Sequence, residues 1–302
     1  MRYNGTVSLP PSPQPSAPSP AGPLSVEAAF GPPGDDPLLT DLSHAALQAA
    51  QAAASLLADT VGRPRSNVEV KSSATDMVSE VDRGAEELVT GILAELRRDD
   101  GLLGEEGTSK PGSTGIRWVV DPLDGTTNFL FGIPQFSVSI AAEIDERPVV
   151  GVVIDPSRSE TWAARLGGGA RCNGVPCRVA AGRSTLATAL VATGFGYQAE
   201  RRAWQARVAA TVIPRVRDLR RFGSAALDLC WAAGGRIDAY YEWGLKPWDL
   251  SAGRLICTEA GGQVEILPSH TIVATTRELF GPMVDLLIEA GVGQPPEGSL
   301  ES

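Results

Sequence analysis

The segment Trp118-Val119-Val120-Asp121-Pro122-Leu123-Asp124-Gly125-Thr126-Thr127-Asn128-Phe129 constrains the fold more than any other part of the chain. The apolar run over 116–121 ends in an acid, which is the pattern of a buried strand that leaves the core at a polar loop. Pro122 lies between the two acids, and Gly125 permits a tight turn. Asp121 and Asp124 can then converge while the following backbone N–H groups point outward. Such a loop suits a hard cation on one side and phosphate oxygens on the other. Alone, Asp-Pro-Leu-Asp-Gly is better read as a surface turn, because Asp, Pro and Gly are the usual turn formers.

The rest of the chain supplies alternating helices and strands. Residues 10–23 carry seven prolines among Ser, Ala and Gly, so 1–36 reads as a disordered tail, with a docking segment for a proline-recognising partner as the functional alternative. An Ala-rich helix follows, capped by Thr40 or Asp41 and stopped by Gly62 and Pro64. Val81, Ala85, Leu88, Val89, Ile92, Leu93 and Leu96 recur at spacings of three and four, the apolar face of a second helix. Strands are predicted at 116–121, 136–144, 149–155 and 160–165, with breaks at Gly167-Gly168-Gly169 and Asn173-Gly174. The second half adds strands at 189–192, 237–243 and 271–274, with helices at 200–213, 224–233 and 277–290. Another helix starts at Pro247, with Asp249 in its first turn and Gly261-Gly262 at its end. This predicts a layered α/β or α+β domain over 37–302, built of halves at about 37–180 and 181–292, without a short internal repeat.

Composition narrows the chemistry. The 302 residues are 43% hydrophobic and 21% charged, enough for one large core. With 26 Lys and Arg against 36 Asp and Glu, the net charge of -10 repels a duplex, so direct nucleic-acid binding is not expected. Cys172, Cys177, Cys230 and Cys257 lack C-x-x-C spacing, and His44 and His270 sit in no motif, which argues against zinc sites and a Ser-His-Asp hydrolase. No apolar run approaches the ~20 residues of a membrane span, and no basic-then-apolar leader opens the chain, so a soluble cytoplasmic protein without a membrane partner is expected. Arg215, Arg217, Arg220 and Arg221 form the densest basic run, either a solvated or acid-paired face or a contact for nucleic acid or a partner. Trp118, Trp162, Trp204 and Trp231 read as core residues rather than stacking platforms.

Three other segments change the weight of the acidic loop: Gly104-Glu105-Glu106-Gly107 before it, Trp248-Asp249-Leu250-Ser251-Ala252-Gly253 far after it, and the stretch from Lys71 to Asp82 upstream. In order and spacing these resemble the inositol monophosphatase family, over roughly residues 41–290. Lys71-Ser72-Ser73 with Asp76 and Asp82, Gly223-Ser224-Ala225-Ala226, and Asp238-Ala239-Tyr240-Tyr241-Glu242 agree as well. The resemblance implies an α+β fold, a layered α-β-α-β-α sandwich. It also implies a homodimer, Mg2+ as cofactor, frequent lithium inhibition, and hydrolysis of a small phosphorylated polyol, foremost myo-inositol monophosphate. By position, Glu105, Asp121 and the Leu123 carbonyl would hold one metal, and Asp121, Asp124 and Asp249 a second. Thr126, with Asp82 behind it, would orient the attacking water, and the N–H groups of Gly125 and Thr126 would receive phosphate oxygens. Without the resemblance, Thr126 reads equally as a helix N-cap, Asp82 as an exposed helix acid, Lys71 as a solvated lysine and Glu242 as a strand-edge charge. With it, Gly223, Ser224, Ala225 and Glu242 would surround the alcohol with Asp124 and Asp249. Related phosphatases act on fructose 1,6-bisphosphate, histidinol phosphate or phosphoadenosine phosphate, and bacterial relatives can serve as regulatory partners of the transcription machinery.

Overall fold

The computed structural model describes residues 23–60, 80–180 and 185–296, with the backbone alone at 69–70 and 77–78. In chain order the first elements are α1 (Val26–Phe30), α2 (Pro37–Thr60), β1 (Glu69–Val70), β2 (Met77–Val78), α3 (Glu80–Leu96), β3 (Gly101–Gly104), β4 (Ser109–Lys110), β5 (Ile116–Asp124) and α4 (Thr126–Leu130). Next come β6 (Ser137–Ile144), β7 (Arg147–Asp155), β8 (Glu160–Arg165), β9 (Ala170–Cys172), β10 (Val175–Pro176) and β11 (Leu190–Thr193). The chain continues through α5 (Ala199–Val212), β12 (Asp218–Arg220), α6 (Ala225–Ala233), β13 (Ala239–Trp243), α7 (Pro247–Glu259), β14 (Gln263–Ile266), β15 (Thr271–Thr275) and α8 (Arg277–Glu289).

An eight-stranded sheet, ordered β10-β9-β8-β7-β6-β5-β3-β4, is antiparallel apart from the β3/β5 pair. A five-stranded sheet, ordered β12-β11-β13-β15-β14, is parallel on one side of β13 and antiparallel on the other. Helices α2 and α3 cover one face of the large sheet, α6 and α7 lie between the sheets, and α5 and α8 close the far face of the small sheet. Strand alternation assigns the cores. Ile140 and Ala142 belong to the cluster under α2 and α3, whereas Ala141 between them packs with α6 and α7. On β13, Tyr240 faces the central helices and Ala239, Tyr241 and Trp243 face α5 and α8. This is the α+β sandwich that the sequence predicts. The two halves share a core, because α7 from the second half packs on β6, β7 and β8 of the first.

Four expectations need correction. Helix α2 begins at Pro37, so Thr40 and Asp41 lie inside it rather than capping it. The tail predicted to end at about residue 36 packs earlier, since α1 is helical, Phe30 is 2% exposed and Gln51 donates to the Leu24 carbonyl at 2.9 Å. The apolar side chains of Ala29 and Phe30, a few residues past the prolines, are buried in the same core. On α3, Leu88 and Leu96 are 37% and 47% exposed, and the buried positions include Asp82 and Glu86 beside Ala85, Val89 and Leu93. Two acids thus take places that periodicity gives to leucines. At α4 the N-cap is Gly125 in the left-handed region, and Thr126 is the first helical residue.

Candidate functional site

In a regular strand, residues three apart point to opposite faces. Asp121 pairs with Ser139 and Asp124 with Ser137, so three steps on β5 oppose two on β6. The extra residue is a β-bulge at Pro122-Leu123, and it turns both acids to one face. That face meets the starts of α6 and α7, where Ser137 Oγ contacts Ser224 Oγ at 3.2 Å and Ser139 Oγ donates to the Trp248 carbonyl at 3.3 Å. Gly125 closes the loop at φ 95°, and a Cβ there would stand 3.0 Å from the Gln135 carbonyl and 3.1 Å from that of Gly223. Asn128 Nδ2 donates to the Gln135 and Phe222 carbonyls at 2.8 and 2.7 Å, tying this loop to the approach of α6.

Glu105 arrives from the end of β3, where its N–H donates to the Val120 carbonyl at 3.1 Å. Its loop is anchored by Glu86 of α3, which accepts from the N–H groups of Glu106 and Thr108 at 2.8 and 3.0 Å and from the Thr108 hydroxyl. A Cβ at Gly104 would fall 2.5 Å from Glu86 Oε2, so a side chain there would displace the Glu86 carboxylate from its anchoring position. Glu86 is a site residue the sequence reading missed; an acid between Ala85 and Val89 on an apolar helix face was the available signal.

Each remaining acid is fixed by local donors. The Asp124 carboxylate accepts from Ser224 Oγ at 2.6 Å and from the N–H groups of Ala226 and Ala225 at 2.8 and 3.3 Å, at the start of α6. Asp249 accepts from the Lys246 N–H at 2.7 Å at the start of α7, and Asp121 from the Leu123 N–H at 3.0 Å. The Thr126 hydroxyl shares its proton between Asp82 Oδ1 at 3.1 Å and the Leu123 carbonyl at 3.0 Å. Asp82 is buried rather than an exposed helix acid.

These groups repel one another. Burial, then the charges of Glu105, Asp124 and Asp249, push the Asp121 carboxyl well above the usual carboxylate range, and a hydrogen bond with Glu105 adds to this. Burial lifts Asp124 to about 6 against the donors of α6, and burial followed by Glu105 and Asp124 raises Asp249. Among the described residues no three of His, Cys, Asp or Glu gather closely enough to enclose an ion by themselves. Magnesium does not need such a cage, since it binds through one or two carboxylates and completes its octahedron with waters and substrate phosphate. The hard oxygen donors and their mutual repulsion fit divalent cations.

A cavity of about 290 Å³ is lined by Glu105, Asp121, Leu123, Asp124, Gly125, Thr126, Gly223, Ser224, Ala225, Glu242 and Asp249. Every expected site residue is therefore in its wall except Asp82, which supports Thr126 from behind. Elsewhere in the wall, Glu242 accepts from the Tyr240 hydroxyl at 2.7 Å, and burial lifts its carboxyl to about 7 against that bond and the Arg221 charge. The basic run divides. Arg215 pairs with Glu289 at 3.0 Å and Arg220 with Asp218 at 2.6 Å, Arg217 Nε donates to the Thr188 carbonyl at 3.0 Å, and Arg221 enters the cavity wall. Lys246 and Arg201 line it too, residues that carried no motif. Trp118, Trp162, Trp204 and Trp231 are buried, as read from the sequence. Lys71, Ser72, Ser73 and Asp76 lie outside the described residues.

Residues 38–280 match the inositol monophosphatase family. The chain belongs to that family. It is 46% identical to inositol-1-monophosphatase SuhB of Mycobacterium tuberculosis over 65% of this chain and 71% of that protein. It is 39% identical to Nus factor SuhB of Escherichia coli over 78% of this chain and 89% of that protein. Among solved structures, extragenic suppressor protein suhB from Bartonella henselae is 36% identical and aligns with a TM-score of 0.75 over 82% of this chain and 97% of that one. Mycobacterium tuberculosis SuhB, also 36% identical, aligns at 0.72 over 86% and 100%. Family membership supports a phosphatase.

Proposed function

We propose that this protein is a Mg2+-dependent phosphomonoesterase that hydrolyses myo-inositol monophosphate by direct attack of water, without a phosphoenzyme. The observation that carries the reading is the single wall formed by Glu105, Asp121, Asp124 and Asp249, next to the Gly125-Thr126 turn. In it, Glu105, Asp121 and the Leu123 carbonyl would hold one ion, and Asp121, Asp124 and Asp249 would hold a second. Bound Mg2+ supplies neutralisation of phosphate charge and acidification of a water. The chain does the positioning. The N–H groups of Gly125 and Thr126 receive phosphate oxygens. Because the Thr126 hydroxyl donates toward Asp82, its lone pair is turned to accept from the attacking water, with Asp82 behind it for the proton. Glu242, Gly223, Ser224 and Ala225 face the alcohol. The same reading takes the enzyme to be a lithium-sensitive cytoplasmic homodimer.

Asp121→Asn tests it. The fold should persist while activity falls by more than about a hundredfold and the magnesium requirement rises, as expected when a ligand shared by two ions is weakened. Near-normal turnover at low magnesium would defeat the assignment. Relatives named Nus factor SuhB support a second reading, a regulatory partner of transcription. Co-purification with elongation factors by a protein that turns over no phosphomonoester would favour it.

A further inference from the structure

The reaction proposed above asks for acids that hold metal and for the Gly125-Thr126 turn, and neither task needs a basic side chain. The cavity wall nonetheless carries Arg201, Arg221 and Lys246. Arg221 has a place beside the turn: a Cβ at Gly223 would stand 2.3 Å from its Nη1, and the Gly223 carbonyl lies against Gly125. Arg201 comes from the first turn of α5, next to the loop 194–198, which lines the cavity as well. That loop is held by other bonds. The Gly196 N–H donates to Gln205 Oε1 at 2.8 Å, and Arg202 donates through Nη1 to the Tyr197 carbonyl at 2.5 Å. Arg201 instead crosses the loop, for a Cβ at Gly196 would stand 2.3 Å from its Cδ, and the glycine leaves the stem its path. Its guanidinium carbon lies 4.7 Å from the centre of the Trp243 ring, and Trp243 is buried and set edge-on to Trp204 at 5.4 Å. A Cβ at Gly244 would be 3.8 Å from Arg201 Nη1, and Lys246 stands two residues further on. Both cations thus border one short piece of wall, 243–246.

A guanidinium stacked on an indole keeps its planar edge of N–H groups for an oxyanion, and that fork matches a phosphate bidentately. The stacking fixes the fork in advance, so little side-chain freedom is lost when an anion arrives. Burial works against the charge of Arg201, and an anion beside it relieves that cost. Lys246 adds a second positive charge, which favours a phosphate dianion over a lone carboxylate. We propose that Arg201 and Lys246 form a second anion subsite inside the catalytic cavity, which receives a phosphate group carried by the alcohol half of the substrate. The preferred substrates are then polyol bisphosphates, cleaved at the ester that meets the acids and held by the other. The inference rests on the phosphomonoesterase reading and deepens it: the acids and the Gly125-Thr126 turn serve the phosphate that leaves, and Arg201 selects the alcohol that stays.

Three variants of the full chain with magnesium decide this: R201M, which keeps an apolar stem, R201K, which keeps the charge without the fork, and K246Q. Two matched pairs serve as probes. Inositol 1-phosphate is set against inositol 1,4-bisphosphate, and butane-1,4-diol monophosphate against its bisphosphate, whose flexible chain adapts to any spacing between the two sites. The parent should favour a bisphosphate by about tenfold or more in kcat/KM, beyond the roughly twofold statistical advantage of two esters. R201M should cost the bisphosphates about 10- to 100-fold, chiefly through KM, with a much smaller loss on the monophosphates, and R201K should restore part of it. K246Q should cost them about two- to fivefold, as expected for an exposed cation. One readout does not need turnover. In magnesium-free buffer, calorimetry should show inositol 4-phosphate binding about tenfold more weakly to R201M than to the parent, and no more weakly to D121N. A parent without preference in either pair, an R201M that loses equally on mono- and bisphosphates, or inositol 4-phosphate binding indifferent to R201M would each overturn the proposal. Absence of turnover of any phosphomonoester would instead overturn the phosphatase reading, and the calorimetry would still decide whether the subsite exists.

Discussion

Glu86 never touches the cavity, yet the site depends on it, and Glu86→Gln isolates that dependence. The carboxylate accepts on both oxygens: Oε2 from the Glu106 N–H, Oε1 from the Thr108 N–H and hydroxyl. A glutamine amide can serve one side only, and its NH2 must then face a buried donor on the other. One orphaned donor and the lost charge assistance together cost about 2–3 kcal/mol, which for a domain of this size lowers the thermal midpoint by about 4–10 °C. Glu105 sits between Gly104 and Glu106, so loosening the anchor should also blur the placement of its carboxylate. Supporting residues of this kind typically cost about 10- to 100-fold in metal affinity. The magnesium concentration for half-maximal p-nitrophenyl phosphate hydrolysis should therefore rise by about that factor, with much of kcat regained at saturation. Calorimetry and a magnesium titration on the same preparation measure both effects. A lower midpoint with an unchanged magnesium requirement would show that Glu86 serves folding alone and that Glu105 is placed by something else.

Glu242→Gln should reduce kcat/KM for inositol phosphate about ten- to more than hundredfold while sparing an aryl phosphate, the size of a lost charge-assisted bond to a hydroxyl. The parent's KM for inositol phosphate should fall as pH rises through about 7, where Glu242 ionises, and the variant should lose that dependence; equal pH profiles would refute the role. Without metal, stability should decline as pH climbs from the ordinary carboxylate range through about 6, because Asp124, Asp121 and Asp249 keep protons in the folded state that the unfolded chain has released. Magnesium should consequently raise the thermal midpoint more at about pH 8 than at about pH 5, where protons compete for the same oxygens; equal increments would mean that the ion binds elsewhere. Deleting residues 1–22 should leave the midpoint nearly unchanged, whereas deleting 1–36 should lower it by about 5–10 °C, since losing a buried Phe side chain costs about 3–5 kcal/mol; indistinguishable truncations would show that α1 contributes nothing.

The sequence by itself determined the longer elements and named most of the residues proposed for the site, though short elements such as α1, β3, β12 and β14 went unread. The run 116–121 is apolar enough to be buried in any fold, Pro247 suits the first turn of a helix because its fixed φ and missing N–H cost nothing there, and the three acidic motifs carry their identity in local order. Periodicity also placed α3, because the spacing of Val81, Ala85 and Val89 depends on helix geometry alone. The arrangement of the acids was not legible there. Asp121 and Asp124 share a face only because β6 pairs out of step with β5, and register between strands is a property of two segments. Glu86 bears no motif, because its bonds are made to the loop of Glu106 and Thr108, some twenty positions further along the chain. A single strand of text shows which side chains are acidic. Only the packing of α3, α6 and α7 on one bulged strand brings those acids close enough to repel one another, the charge arrangement on which the proposed divalent-cation site rests.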